Sequence, residues 1–273
     1  MSETENAVGG IIREWRSRRR MSQLDLAGEA DISQRHLSFL ESGRAAPSRE
    51  VVIRLADSLD VPLRHRNRML LAAGFAPQYG ERTLADPSLS QALSAVKLVL
   101  KGHEPCPAFA VDSRWNMVAA NDTVAPFLAA VEDSALLEPP VNVLRLCLHP
   151  RGLASKIVNL AEWRAHILAR LKRQNETYAD PLLEQLEEEL RGYPSGVSQG
   201  RVIHNESSAI AHMLKLRMGG SILSFISTIT VFGTALDVTL SELAIESFFP
   251  ADDATRAVLT RLAAERPAQP NYS

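Results

Sequence analysis

The sequence predicts an α+β chain in two parts: an all-α head of five helices, and a second domain built on a five-stranded antiparallel sheet with helices. Three observations predict it. Between residues 8 and 73, apolar residues recur at helical spacing in five segments, four of them opened by Ser or Pro. Runs rich in β-branched and aromatic residues form two later groups, with Gly219-Gly220 as a hairpin turn between two of them. The chain is 273 residues long, which leaves roughly 190 beyond the head, enough for a second core. We divide it into a head at 8–77, a connection at 78–101 and a second domain at 102–265.

In the head, helix 1 covers about Val8–Arg19. Ser22, with Asp25 three residues on, caps a helix through Leu26 and Glu29 that stops near Asp31. Ser33 caps the next, which runs to Glu41 and ends at Gly43, a residue that enters the left-handed region without strain. Two short helices joined by so tight a turn spell a helix-turn-helix, and the flanking helices supply the core that the pair lacks. On the second motif helix Leu37 and Leu40 face inward. Arg35, Ser38, Phe39 and Ser42 project from the other side, with Gln34 near the exposed N-terminal end. Gln and Arg make bidentate contacts to adenine and guanine in the major groove, and Phe39 suits a thymine methyl. Pro47-Ser48 opens a fourth helix, Arg49–Leu59, and Pro62 a fifth, Leu63–Ala73, stopped by Gly74.

Turn formers from Pro77-Gln78-Tyr79-Gly80 to Pro87 read as the connection. A helix from Ser88 to about Lys101 either leads into the second domain or pairs with its twin in a dimer. Ala108–Val111 reads as a strand, 112–114 as a turn, Trp115–Ala120 as a second strand and Asn121–Ala130 as a helix. Helices at about Leu153–Arg173 and Asp180–Arg191 fill the middle. Strands follow at Ile210–Arg217, Ile222–Phe232 and Glu242–Phe249. A last helix runs from Asp252 or Asp253 to about Ala264, with acidic residues at its positive end. Two groups of strands with helices between them predict one sheet with helices stacked on a single face.

Net charge is −2, unevenly spread: residues 1–75 hold 12 Arg and 10 acidic residues, the remainder 18 basic and 22 acidic. Arg13, Arg16, Arg18, Arg19 and Arg20 cluster ahead of the motif, and one or two of them are expected to reach phosphates. Cys106 and Cys147 make no disulfide framework in a chain this size and read as reduced thiols. No apolar leader precedes a cleavage site and no run of about 18 apolar residues spans a bilayer, so the expected place is the cytoplasm, without a membrane partner. His103, His149, His166, His204 and His212 lack metal-ligand spacing. Ser155 and Lys156 would diverge on a helix and no G-D-S-M-like nucleophile turn is present, which argues against a Ser–Lys peptidase. We expect no enzyme, no metal and no cofactor.

Residues 8–63 resemble the Cro/C1-type (XRE) helix-turn-helix domain. The resemblance implies that Gln23 touches a phosphate, that Gln34, Arg35, Ser38 and Phe39 face base edges, and that Arg44 reaches the DNA backbone. Glu41 and Gly43 match the family's E-x-G ending, which is structural. The order hairpin, helices, three-stranded meander resembles a PAS-like sensor domain. RHRNRMLLAAGFAP at 64–77, HEPCPAFAVDSRWNMVAAN at 103–121 and FGTALDVTLSELAIESFFPAD at 232–252 resemble the MmyB-like family of XRE regulators. One departure is Cys106, where that family carries an aromatic residue in H-E-P-Y-P. The resemblance implies a C-terminal PAS-like ligand-binding domain and a fatty-acyl or similar hydrophobic ligand.

Phe109, Val111, Phe127, Leu214, Leu216, Phe225 and Ile229 are the candidates to line a cavity between sheet and helices. The expected function is sequence-specific, ligand-responsive binding of double-stranded DNA. One recognition helix reads only about four to six base pairs, so a homodimer on an inverted-repeat operator is expected. The alternative is a DNA-tethered regulator whose second domain only dimerises or recruits a protein partner.

Overall fold

In the computed structural model, which describes residues 7–178, 180–194, 213–232 and 237–265, three serines start three helices of the head, as predicted. The head helices are α1 (Ala7–Arg18), α2 (Gln23–Glu29), α3 (Gln34–Glu41), α4 (Arg49–Ser58) and α5 (Leu63–Ala72). Ser22 Oγ accepts from the Asp25 amide at 3.1 Å while Asp25 Oδ2 accepts from the Ser22 amide at 2.9 Å, a closed capping box. Ser33 and Ser48 accept from the amides of His36 and Val51 in the same way. The apolar stripes meet in one core that includes Ile12, Trp15, Leu26, Leu37, Leu40, Leu55 and Met69. At Gly9, helix α1 comes so close to α3 that a Cβ would lie 2.3 Å from the Leu40 carbonyl oxygen, so this position admits no side chain. Beyond α5, the buried Asn67 fixes the chain: its Oδ1 accepts from the amides of Gln78 and Tyr79, and its Nδ2 donates to the Tyr79 carbonyl.

The later elements are α6 (Ser90–Gly102), β1 (Ala108–Val111), β2 (Met117–Ala120), α7 (Ala125–Leu128), α8 (Val143–Leu148), α9 (Leu160–Tyr178), α10 (Pro181–Gly192), β3 (Met213–Met218), β4 (Ser221–Val231), α11 (Val238–Ser241), β5 (Ala244–Pro250) and α12 (Asp253–Ala264). The strands form one antiparallel sheet in the order β2-β1-β5-β4-β3. Gly219 and Gly220, at φ 54° and 83°, make the predicted hairpin turn. Asp252 caps α12, accepting from the Thr255 amide at 2.7 Å.

The chain divides into two compact units, one through Thr83 and the other from Leu84 onward, with two returns to the first. Those returns are Glu176–Tyr178 and, of the later described residues, 237–241. Within the first unit the Val238 amide donates to the Gly80 carbonyl at 2.8 Å, Asp237 pairs with Arg82, and α11 touches α5. The sequence reading had assigned all of 232–252 to the second domain.

Several expected element bounds are corrected. β2 starts at Met117, because Trp115 turns through φ 66° and buries its ring. The turn is fixed by Asp112 Oδ1, which accepts from the amides of Arg114 and Asn116. The helix expected over 121–130 is a 3-10 turn at Asp122–Val124 followed by α7, which restarts around Pro126. The long middle helix begins at Leu160, since Ile157 is extended and bridges Leu216 of β3. Helix α8 was not foreseen; Asn142 caps it and also holds the Arg114 carbonyl. The expected strand start at 210–212, like His204 and His212, lies outside the described residues.

Helices cover both faces of the sheet rather than one. Val96 and Leu100 of α6 pack on Ala108, Ala110 and Ile245. Their neighbours in the alternation, such as Phe109 and Phe248, point to the opposite face. A buried asparagine joins α6 to the sheet: Asn121 Nδ2 donates to the carbonyls of Leu100 and Cys106, and its Oδ1 accepts from the Ala108 amide and the Thr123 hydroxyl. Asn121→Ala leaves the Ala108 amide without this partner and removes the tie to Leu100 and Cys106, so it should cost about 1–3 kcal/mol. Urea denaturation checks this, and an unmoved midpoint would count against the hub.

Candidate DNA-facing helix and ligand cavity

Helix α3 is anchored by its last residue. Glu41 is buried, and its carboxylate takes the Nε and Nη2 of Arg16 at 2.6 and 2.9 Å and the Nε2 of Gln23 at 2.8 Å. Arg13 adds its charge at 3.6 Å and donates to the Glu41 carbonyl. Burial opposes ionisation here. The hydrogen bonds from Arg16 and Gln23, with the charges of Arg16 and Arg13, outweigh it and hold the carboxyl below its usual range. Carboxylate, α1 and α2 together fix the pitch at which α3 leaves the core.

On the outer side Gln34, Arg35 and Arg44 are exposed, and Ser38 and Phe39 half-buried. The Arg35 guanidinium lies 5.4 Å from the centroid of the Phe39 ring, one helical turn on, so the two form a stacked pair at the surface. Gln23 spends one of its amide N–H groups on Glu41, which leaves it less free for a phosphate than the sequence suggested. The arginine cluster is also largely engaged within the protein. Arg16 and Arg13 serve Glu41, Arg18 pairs with Glu14, and Arg19 donates to the carbonyls of Leu59 and Asp60, while Arg20 is exposed.

In the second unit a cavity of about 100 Å³ lies between the sheet and helices α7, α8 and α9. That is room for several waters or a stretch of apolar chain. Of the candidates, Phe109, Phe127, Leu214, Leu216 and Phe225 line it. Val111 and Ile229 do not. Val111, the last residue of β1, is buried but does not border the cavity. Ile229, on β4, is 40% exposed.

The cavity also has walls the sequence reading missed. Trp163, Ile167 and Arg170 come from one stripe of α9, Cys147 from α8, and Glu246 and Phe248 from β5. The i, i+4, i+7 spacing of the α9 residues was an available signal, as was a lone carboxylate inside the apolar run of β5. Arg170 Nη1 donates to Glu246 Oε1 at 3.0 Å, and its guanidinium sits 4.2 Å from the Trp115 ring centroid. Trp115 is itself held by Gln174, whose Oε1 accepts from Nε1 at 2.7 Å. Burial pushes the Cys147 thiol up to about 12, so it stays protonated at neutral pH and accepts from Trp163 Nε1.

The model of the MmyB-like transcription regulator ligand binding domain matches residues 93–262, more than half of the chain. The chain belongs to this family. A helix-turn-helix model matches residues 12–65, and this MmyB-like protein is a DNA-binding transcription regulator with a ligand-binding domain. It is also similar to two crystal structures of the clp gene regulator ClgR from Corynebacterium glutamicum. One is 24% identical over 27% of this chain and 92% of the other, with a TM-score of 0.24. The second is 22% identical over 38% and 97%, again at 0.24. No curated protein matches the regulator. Among its described residues no helix is long and apolar enough to cross a membrane.

The Glu41 clamp has a pH signature. A carboxyl held below its ordinary value of 4.5 stabilises the folded head above that pH, and the contribution is lost as pH falls through the lower folded value. Glu41→Gln should lower stability at neutral pH by about 2–3 kcal/mol and flatten its decline below pH 4.5. Thermal melts across pH check both, and identical profiles for the two proteins would remove the clamp.

Proposed function

We propose that this regulator binds an inverted-repeat operator as a homodimer in the cytoplasm, and that a hydrophobic small molecule of fatty-acyl type in the second-domain cavity controls it. The observation that carries the reading is the cavity itself, apolar on nearly every wall, with one arginine–glutamate pair among its lining residues. The strand order β2-β1-β5-β4-β3 supports the PAS-like reading of that domain. For the dimer, support comes from α6. Its Val96 and Leu100 face the sheet, yet Leu98 and Val99 on its outer side are 71% and 53% exposed, a second apolar face with room for a twin. The head at 8–77 reads the DNA, with Gln34, Arg35, Ser38 and Phe39 toward base edges, Arg44 toward the backbone, and Gln23 at a phosphate through its remaining N–H. A ligand acts by binding one arrangement of the dimer better than the other, which changes the spacing of the two recognition helices.

Native mass spectrometry before and after organic extraction tests this. The expected result is a dimer carrying an extractable mass on the order of a few hundred daltons; an empty dimer that gains no acyl compound on addition sinks the ligand reading and favours a domain that only dimerises or recruits. On DNA, Arg35→Ala should cost about 1–3 kcal/mol at the operator and relax one base position. Arg44→Ala should weaken all sequences alike and reduce the salt slope by about one ion. Titrations at two salt concentrations separate them, and a sequence-selective loss from Arg44→Ala removes its backbone role.

A further inference from the structure

Nearly all of the surface that the cavity turns inward is hydrocarbon, although four of its lining side chains have a polar or charged end. Those four are turned to one another. Arg170 Nη1 donates to Glu246 Oε1, and the two side chains are only 14% and 3% exposed. Trp115 lies against the Arg170 guanidinium, whose Nε is fully buried. The Trp163 indole donates to Cys147 Sγ at 3.2 Å. Main-chain groups at the rim are engaged as well, since β1 and β4 both pair with β5 and the Pro107 carbonyl accepts from the Phe248 amide. What remains to meet a ligand is the flanks of residues such as Phe109, Leu144, Ile157 and Phe225.

A hydroxyl or carboxylate carried into such a space leaves its water and gains no hydrogen bond in return, a loss large enough to decide between ligands. A methyl end loses nothing and is driven in by the burial of its apolar surface. Size points the same way. The space measures about 100 Å³, less than the ~150 Å³ of a dry apolar cavity that holds one benzene ring. It has room for the last few carbons of a chain, and the rest of the molecule, with its head, stays outside these walls. We propose that the cavity is an end-recognition subsite: it admits the unsubstituted hydrocarbon end of a chain-bearing ligand, tail first, and rejects a chain whose far end carries a polar group. This rests on the reading that the cavity takes a hydrophobic small molecule, and adds which part of it enters.

The test is calorimetric titration of the full-length protein with decanoate, 2-hydroxydecanoate and 10-hydroxydecanoate. The last two are isomers with the same head, and differ only in whether the hydroxyl lies beside that head or at the far end. The wild type should bind 2-hydroxydecanoate within a few fold of decanoate, and 10-hydroxydecanoate at least about tenfold more weakly than either. Val143→Phe, which fills the space from α8, should weaken decanoate by about tenfold or more, with its melting curve checked for folding. The reverse ranking of the two isomers overturns the proposal in favour of entry head first, and equal binding of the two overturns it in favour of a site blind to the chain end. Both of those outcomes leave the cavity reading standing. Unchanged decanoate binding in a folded Val143→Phe places the ligand elsewhere and overturns the proposal together with the cavity reading, as does failure of all three compounds to bind. The wild-type ranking needs no variant, so it decides even where the substitution does not fold.

Discussion

Glu41 sits inside the head with its carboxylate against Arg16, and α3 can present an outer face only because that inner charge is satisfied. A buried carboxylate without partners would be expelled or neutralised. Partners drawn from α1 and α2 make the three helices one rigid piece, and the close approach at Gly9 removes the remaining freedom between α1 and α3. The second unit repeats the device with a different outcome. There Glu246 and Arg170 also pair out of water, but they do so on the wall of a cavity. The same chemistry holds a surface in one unit and furnishes an interior in the other.

Local chemistry was the legible part of the sequence. Ser22 with Asp25, Ser33, Ser48, Asp252 and the Gly219-Gly220 turn act within a few residues of themselves, and the helices and hairpin they delimit could be read directly. Elements decided by distant partners were not legible. Helix α8 depends on Asn142 reaching the Arg114 carbonyl, and the late start of α9 depends on Ile157 joining β3. Trp115 looks like a strand residue until its backbone is seen to turn in order to bury the ring.

The sites divide in the same way. Of the large apolar residues named as cavity candidates, Phe109, Leu214 and Phe225 on the strands do line it, since such side chains are the ones that seek the interior. Two others, Val111 and Ile229, do not border it, the first buried elsewhere and the second 40% exposed. Charged residues were the hardest. The arginines ahead of the motif read as phosphate ligands, yet Arg16 and Arg19 are occupied 25 and 40 residues away. Arg170 and Glu246 drew no notice at all, since a lone charge in a helix or strand ordinarily faces water.

The order of the units along the chain is not the order of their parts. Residues 237–241 lie far beyond the connection, yet they group with the first unit through Gly80, Arg82 and α5. A protein cut at the connection would therefore yield a head missing a piece of itself, with the Gly80 carbonyl and Arg82 stripped of their native partners. Conversely, the same backbone that leaves the first unit at Ser241 runs within three residues into the strand that bears Glu246. The two units are thus interleaved along one thread rather than strung as two beads.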